Sequence, residues 1–404
     1  MTILRTMRHF SSMNIAASIL LFLTAIAAAI IANSPVAPVY QEFLSHELHF
    51  RIGNFNLLSH GGQNLTMIEF INDGLMTVFF LLVGLEIKRE LLVGELSSFR
   101  KAALPFIAAC GGMLFPVLVY SFVCAPGTPG GQGLAIPMAT DIAFALAVLG
   151  LLGKRVPLSM RIFLTALAVV DDIGGIIIIA LFYSGHIAFE PLLISLIVLA
   201  LLYVGGKFRV HNRLFFYIGG FIVWLLFLES GIHPTIAGVL IAFTVPARPV
   251  VKLDDFTCDM TGYLNMLDYT EVRQSRKAEV LTPTQIQVLN NIHTLADKTI
   301  SPLQTIADKL HPLVNYVILP LFAFVNAGVT FGDIQPQTLV NVPLAVFVGL
   351  FVGKTLGIFS FSYLFACTPF ASMPTGMSKR NLFGVSMLGG IGFTVALFIA
   401  NLSF

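Results

Sequence analysis

Long apolar runs separated by short polar turns occupy almost the whole chain. Runs near the ~20 residues needed to cross a bilayer lie at 14–33, 67–86, 103–124, 134–152, 157–183, 191–206, 213–228, 231–246, 312–329, 341–366 and 383–402. This pattern predicts an all-α integral membrane protein with about eleven transmembrane helices. Arg5 and Arg8 precede the first run, as in a secretory signal. That run exceeds the ~7–15-residue apolar core of such signals, and further spans follow, so a retained helix is expected.

Charge placement supports the count and gives an orientation. With the N-terminus in the cytoplasm, the inside segments hold 21 of the 23 Lys and Arg residues. They range from Arg5 and Arg8 through Lys88, Arg89, Arg100 and Lys101 to Lys379 and Arg380. Only Arg51 falls outside, and Lys354 lies within a span. One miscounted helix would scramble this pattern, so the positive-inside rule predicts a multi-pass protein with a cytoplasmic N-terminus.

The apolar pattern lapses once, between 247 and 311, where 15 of the charged residues gather within 65 positions. Two helix starts stand in this segment. Thr282-Pro283-Thr284-Gln285 and Ser301-Pro302-Leu303-Gln304 each place a hydroxyl cap, a proline and a glutamine at capping-box spacing. Ile286, Leu289, Ile292 and Ala296 follow at helical spacing and predict one apolar face. The chain thus divides into a membrane domain of eight spans (1–246), a charged cytoplasmic helical excursion (247–311) and three last spans (312–404).

Composition narrows the class further. Of the 404 residues, 56% are hydrophobic and 11% charged, against roughly 25% charged in soluble proteins. Basic and acidic residues nearly balance, at 23 against 21, so no basic face exists to bind nucleic acid. Cys110, Cys124, Cys258 and Cys367 are scattered without metal-like spacing and read as small apolar fillers, not as a disulfide or zinc framework. No cofactor is expected, and membrane lipid is the surrounding partner.

Five ionisable residues sit inside spans, where each costs at least ~2.5–3.5 kcal/mol: Asp73, Asp141, Asp171, Asp172 and Lys354. Adjacent residues on a helix point roughly 100° apart, so Asp171 and Asp172 can face one cavity while aiming at different partners. Like charges this close oppose each other's ionisation. A proton and a small hard cation such as sodium or lithium would therefore compete for the same carboxylates, which is what an exchanger requires. The plainer alternative is an internal ion pair with Lys354 that only holds helices together.

Asp141 follows Pro137 and Thr140, and Pro137 invites a helix break. Gly389-Gly390-Ile391-Gly392-Phe393-Thr394 marks a matching weakness in the last span. Two interrupted spans in opposite halves of a transporter point to a midplane site. Their half-helix ends would carry unbalanced partial charges, which Asp141 and Lys354 could offset. Glu86 and Glu90, beside Lys88 and Arg89, are either a solvated helix end or an acidic mouth that attracts cations. His233 titrates near neutrality when unperturbed, although packing alone would also account for it.

Ala139 to Phe144, Val170 to Gly174, Ile71 to Met76 and Leu82 to Glu90 together resemble the NhaA family of sodium/proton antiporters. So do Ser230 to His233, Leu319 to Phe324, Gly353 to Gly357 and Gly390 to Thr394. The resemblance covers roughly 1–246 and 311–402. It implies an inverted-repeat antiporter fold with two discontinuous crossing helices, and sodium export driven by inward protons, two per sodium. It also implies a bacterial inner membrane, activation at alkaline pH, a homodimer and no organic substrate.

Carried over by position, Asp172 would be the main sodium ligand, with Asp171 beside it as second ligand and partner of Lys354. Asp141 and Thr140 would lie at the helix crossing, and Asp73 would be a supporting carboxylate. Glu86, Glu90 and His233 would belong to the pH-responsive cytoplasmic funnel or its periphery. Three departures accompany these: the long 247–311 excursion, Ala307 where the family often has an acid, and an end at Phe404 without the family's twelfth helix. An intramembrane aspartyl protease would need a Gly-x-Gly-Asp motif, which is absent. A sodium-coupled symporter or a cation channel is the rival on physical grounds.

Overall fold

Helices form where the apolar runs predict them. The computed structural model describes residues 2–404 except 50, 53–54, 57–58, 61–62, 125–126, 128, 153–155, 184–186, 209, 211, 269–273, 276–277, 280, 331–340 and 369–375. Among these, seven helices are long and apolar enough to cross a membrane: Ile15–Ala32, Met67–Val93, Lys101–Val123, Leu158–Phe182, Phe189–Lys207, Arg213–Ser230 and Val342–Ala366. Two further spans are pairs bent by 42°, Gly130–Met138 with Ile142–Leu152 and Lys379–Gly389 with Phe393–Ser403.

Length and composition thus give up to nine spans, against the expectation of about eleven. The other two expected spans coincide with shorter or less apolar helices. One is Thr235–Thr244, of 10 residues. The other is the run Pro302–Leu313, Val314–Ile318 and Leu319–Asn326, whose apolar stretch is diluted by Lys309, His311 and Asn315. Strand pairing among the described residues is confined to two-residue ladders such as Arg51–Ile52 with Phe55–Asn56 and an isolated bridge between Glu47 and Thr66.

Large apolar side chains cover the outside as well as the core: Phe122, Phe182 and Phe189 are 90%, 76% and 78% exposed. Water would not tolerate that surface over so many helices, whereas hydrocarbon would. Inside, the apolar residues separate into two bundles. One buries Leu21, Leu85, Leu202, Phe216, Ala237 and Leu303, drawn from helices 2–32, 67–93, 189–207, 213–230, 235–244 and 302–313. The second buries Leu104, Ala145, Leu164, Ile358 and Val385, from helices 99–123, 142–152, 158–182, 355–366 and 379–389. A third cluster, including Phe80, Ala139, Phe322 and Phe398, joins the two.

Close approach inside the second bundle depends on glycine. A Cβ on Gly111 would lie 2.4 Å from the Gly357 carbonyl oxygen, and one on Gly357 would lie 2.1 Å from that of Gly111. Helices 99–123 and 342–366 can therefore meet backbone to backbone, which fixes Lys354 beside the crossing. Gly231, at φ +77°, ends helix 213–230 in the left-handed conformation and turns the chain into the segment bearing His233.

The charged segment holds helices Leu253–Asp268 and Pro283–Thr299. Thr282 and Ser301 both complete capping boxes with Gln285 and Gln304. The buried face of Pro283–Thr299 differs from the expected one: Gln285, Val288 and Leu295 are covered, while Ile286 and Leu289 are 48% and 41% exposed. Both rows repeat at helical spacing, and tertiary packing covers the row one position earlier. Helix Pro302–Leu313 buries Leu303, Ile306, Ala307 and Leu310 in the first bundle and continues through a π-helical stretch, Val314–Ile318, into Leu319–Asn326. The last helix of the charged segment thus runs on into the span after 311, as expected.

Candidate functional site

The two bent spans meet at their breaks. Pro129–Met138 is a 3-10 helix containing Pro137, and Ile142–Leu152 begins after the non-helical residues Ala139 to Asp141. Asp141 N donates to the Ile391 carbonyl at 2.6 Å, tying one break to the other. The Asp141 carbonyl accepts from Ala145 N, so Asp141 is the N-cap of its half-helix. Its Oδ1 accepts from Phe144 N at 3.0 Å, and its Oδ2 from Thr394 N and Oγ1 at 3.2 and 2.7 Å. One carboxylate therefore faces the positive ends of two half-helices.

The negative ends find different partners. Lys354 Nζ donates to the carbonyl of Met138, the last residue of the 3-10 half-helix. Thr140 Oγ1 lies 2.9 Å from the carbonyl of Gly389, which ends Lys379–Gly389. All four half-helix ends are thus met by Asp141, Lys354 or Thr140, each no more than 2% exposed.

Lys354 Nζ also reaches Asp171 Oδ2 at 2.5 Å, and Thr140 Oγ1 lies 2.6 Å from the same oxygen. A hydroxyl has one proton to give. With Asp171 ionised it goes to the carboxylate, and with Asp171 protonated it is free to turn to Gly389. Asp171 Oδ1 is buried and has no hydrogen-bond partner among the described residues. Asp172, one position on, lines a cavity of about 130 Å³, room for several waters. It makes no hydrogen bond or ion pair among the described residues. The adjacent carboxylates divide their surroundings, Asp171 toward Lys354 and Asp172 toward open space.

Helix faces from both bundles wall the cavity. Phe79, Val83 and Glu86 come from one helix, and His311, Asn315 and Leu319 from another at i, i+4 and i+8. Thr140, Asp141 and Thr394 form its floor. Glu86 Oε1 lies 3.3 Å from His311 Nε2, at the end of helix 67–93 where Lys88 and Arg89 follow. Lys88 there donates to the carbonyls of Phe243 and Val245, capping helix 235–244.

Glu90 and His233, expected in the funnel or at its periphery, do not line the cavity themselves. Glu90 Oε2 accepts from Glu95 N at 3.1 Å and its Oε1 is 3.9 Å from Arg89, so it shapes the turn after the helix and does not line the cavity. His233 stands with Asp73 instead, Nε2 to Oδ1 3.6 Å, near the opposite end of helix 67–93. Its ring meets Phe398 edge-on and its Nδ1 is 2.9 Å from Thr235 Oγ1. The physical reason is the direction of the chain: His233 opens helix 235–244, whose other end carries the contact to Lys88. The Asp73 carbonyl accepts from Trp224 Nε1 at 3.2 Å and from Thr77 Oγ1.

Sequence reasoning passed over Thr394, His311 and Asn315. Thr394 was within reach, since it closes the glycine-rich break. The i, i+4 spacing of His311 and Asn315 was a usable signal for one shared face. Nothing in the sequence marks the three π-helical stretches among the described residues, Phe70–Leu75, Val314–Ile318 and Gly349–Lys354. Each holds a polar residue of interest (Asp73, Asn315, Lys354), as such stretches often do.

A family model described as Na+/H+ antiporter 1 matches residues 8–404. Among curated relatives, the Na(+)/H(+) antiporter NhaA of Parabacteroides distasonis is 83% identical over 402 residues, covering 100% of this chain and 88% of that protein. The protein of the same name from Bacteroides fragilis is 63% identical, covering 100% and 91%. That from Porphyromonas gingivalis is 50% identical over 388 residues, covering 96% and 86%.

Proposed function

Because the chain belongs to the Na+/H+ antiporter 1 family, we propose that it exchanges sodium, or lithium, for protons across a bacterial inner membrane. Sodium leaves the cell as protons enter, two per sodium. The carrying observation is Asp172, an unpaired carboxylate on a cavity with room for several waters, next to an Asp171 whose second oxygen is also unpartnered. Two such oxygens suit a hard cation or a proton and nothing larger.

The exchange follows from charge balance. Without sodium, Asp172 is protonated and Asp171 pairs with Lys354. Sodium entering the cavity takes both carboxylates, so Asp172 releases its proton. Asp171 turns from Lys354, whose ammonium then lacks a counter-charge and gives up the second proton. The loaded site carries one negative charge more than the protonated one, which makes the cycle electrogenic. Glu86, at the cavity mouth, draws cations inward. The basic residues around it support a cytoplasmic mouth and a cytoplasmic N-terminus. The 83% and 63% relatives bear the antiporter name, which favours exchange over sodium-coupled symport or a channel. The apolar surface is expected to sit in lipid and to pair with a second copy.

Purified protein in sealed vesicles containing a pH dye tests this. Sodium added on the cavity side is expected to drive proton movement without any third solute, and Asp172→Asn is expected to abolish it. Near-parental exchange by inserted Asp172→Asn would remove that carboxylate from the mechanism.

A further inference from the structure

The end of the molecule remote from Glu86 and His311 carries a polar cluster that the exchange chemistry does not use. Asn326, the last residue of helix 319–326, is its centre. Its Nδ2 donates to Asn72 Oδ1 at 2.8 Å and to the Phe322 carbonyl at 2.9 Å. Its Oδ1 accepts from Asn72 Nδ2 at 3.2 Å and from Asn401 Nδ2 at 2.5 Å. A primary amide has two donor hydrogens and two acceptor lone pairs, so Asn326 is satisfied on all four counts. The Phe322 carbonyl also fixes which side of the amide carries the nitrogen.

The cluster straddles the division between the bundles. Helices 67–93 and 319–326, bearing Asn72 and Asn326, contribute to the first bundle's core. Asn401 lies on half-helix Phe393–Ser403, which belongs to the second of the two bent spans. That half-helix is tethered to its own side: Ser403 Oγ is 3.0 Å from Tyr183 Oη, which donates to the Gln132 carbonyl at 2.9 Å. The Asn401–Asn326 bond therefore joins two separately anchored bodies. Next to it lies the apolar seal of Phe322, Val325, Phe398 and Ile399, each at most 4% exposed.

We propose that Asn401, Asn326 and Asn72 form a latch holding the bundles together at the end opposite the funnel, released whenever the site opens to that side. The inference rests on the transport reading, because only a carrier needs to open that end. Asn401 is exposed, so its freed amide passes to water at small cost and the bond acts as a reversible catch. A fully buried bond would instead resist opening.

Thiol labelling tests the latch without any ion gradient, so its failure is separable from failure of the exchange reading. Cys110, Cys124, Cys258 and Cys367 are replaced by serine, and Val325→Cys supplies one thiol within the seal. A membrane-impermeant maleimide is expected to label it about fivefold faster when Asn401→Ala is added, the change given by one amide hydrogen bond of ordinary strength. Asn401→Leu, which keeps the bulk but loses the donor, is expected to do the same. Leu146 also lines the cavity between the bundles, and a thiol there, Leu146→Cys, is expected to label no faster in either background. Unchanged labelling at 325, acceleration by Ala but not Leu, or equal acceleration at 146 would each overturn the latch.

Discussion

At the scale of single residues, the charges inside apolar runs are the legible part of the site. Asp141, Asp171, Asp172 and Lys354 stand out because hydrocarbon makes an unpaired charge so costly. The contact of His311 with Glu86 was not legible, since nothing local says which distant helix faces which. Lys354 offers the sharpest test at this scale. It neutralises both Asp171 and the carbonyl end at Met138, so its charge should matter more than its shape. Lys354→Arg is expected to keep most of the thermal stability and part of the exchange, reduced to the one proton of Asp172 per sodium because a guanidinium does not give up its own. Lys354→Ala, which strands Asp171, is expected to cost about 3–5 kcal/mol and to stop exchange. Thermal midpoints in detergent and vesicle assays check both, and an alanine variant that matches the parent would refute the role.

At the scale of elements, both helix breaks were visible as Pro137 and as the glycines from 389 to 392, because missing donors and missing side chains weaken a helix wherever they occur. The buried face of Pro283–Thr299 was misread, since its apolar residues allow two adjacent rows and tertiary packing chooses between them. The crossing depends on Asp141, which caps its own half-helix and reaches across to Thr394 in the other. Asn at 141 keeps one carbonyl oxygen but turns an NH2 toward donors and removes the negative charge. Asp141→Asn is therefore expected to destabilise the fold by about 2 kcal/mol, one lost charge-assisted bond. Its apparent sodium affinity is expected to fall because the floor of the cavity shifts. Thermal melting and sodium titration of the exchange rate measure these, and parental values in both would mean the cap is dispensable.

At the scale of the whole molecule, the sequence shows where spans lie but not how they divide into bundles. The apolar pattern of Leu85 and Leu164 is the same, yet one packs in the first core and the other in the second. The cavity arises only where those cores part, and with it the exposure of Asp172. The central claim is that sodium and protons compete for the same carboxylates, and titration calorimetry on the purified protein tests it most directly. Sodium is added at a series of pH values in buffers of differing ionisation heat, which counts the protons released. Binding is expected to release protons and to weaken as pH falls, by up to about tenfold per pH unit for each proton displaced, while Asp172→Asn binds no sodium and releases none. Sodium binding of constant affinity at every pH, with no proton released, would contradict the exchange mechanism.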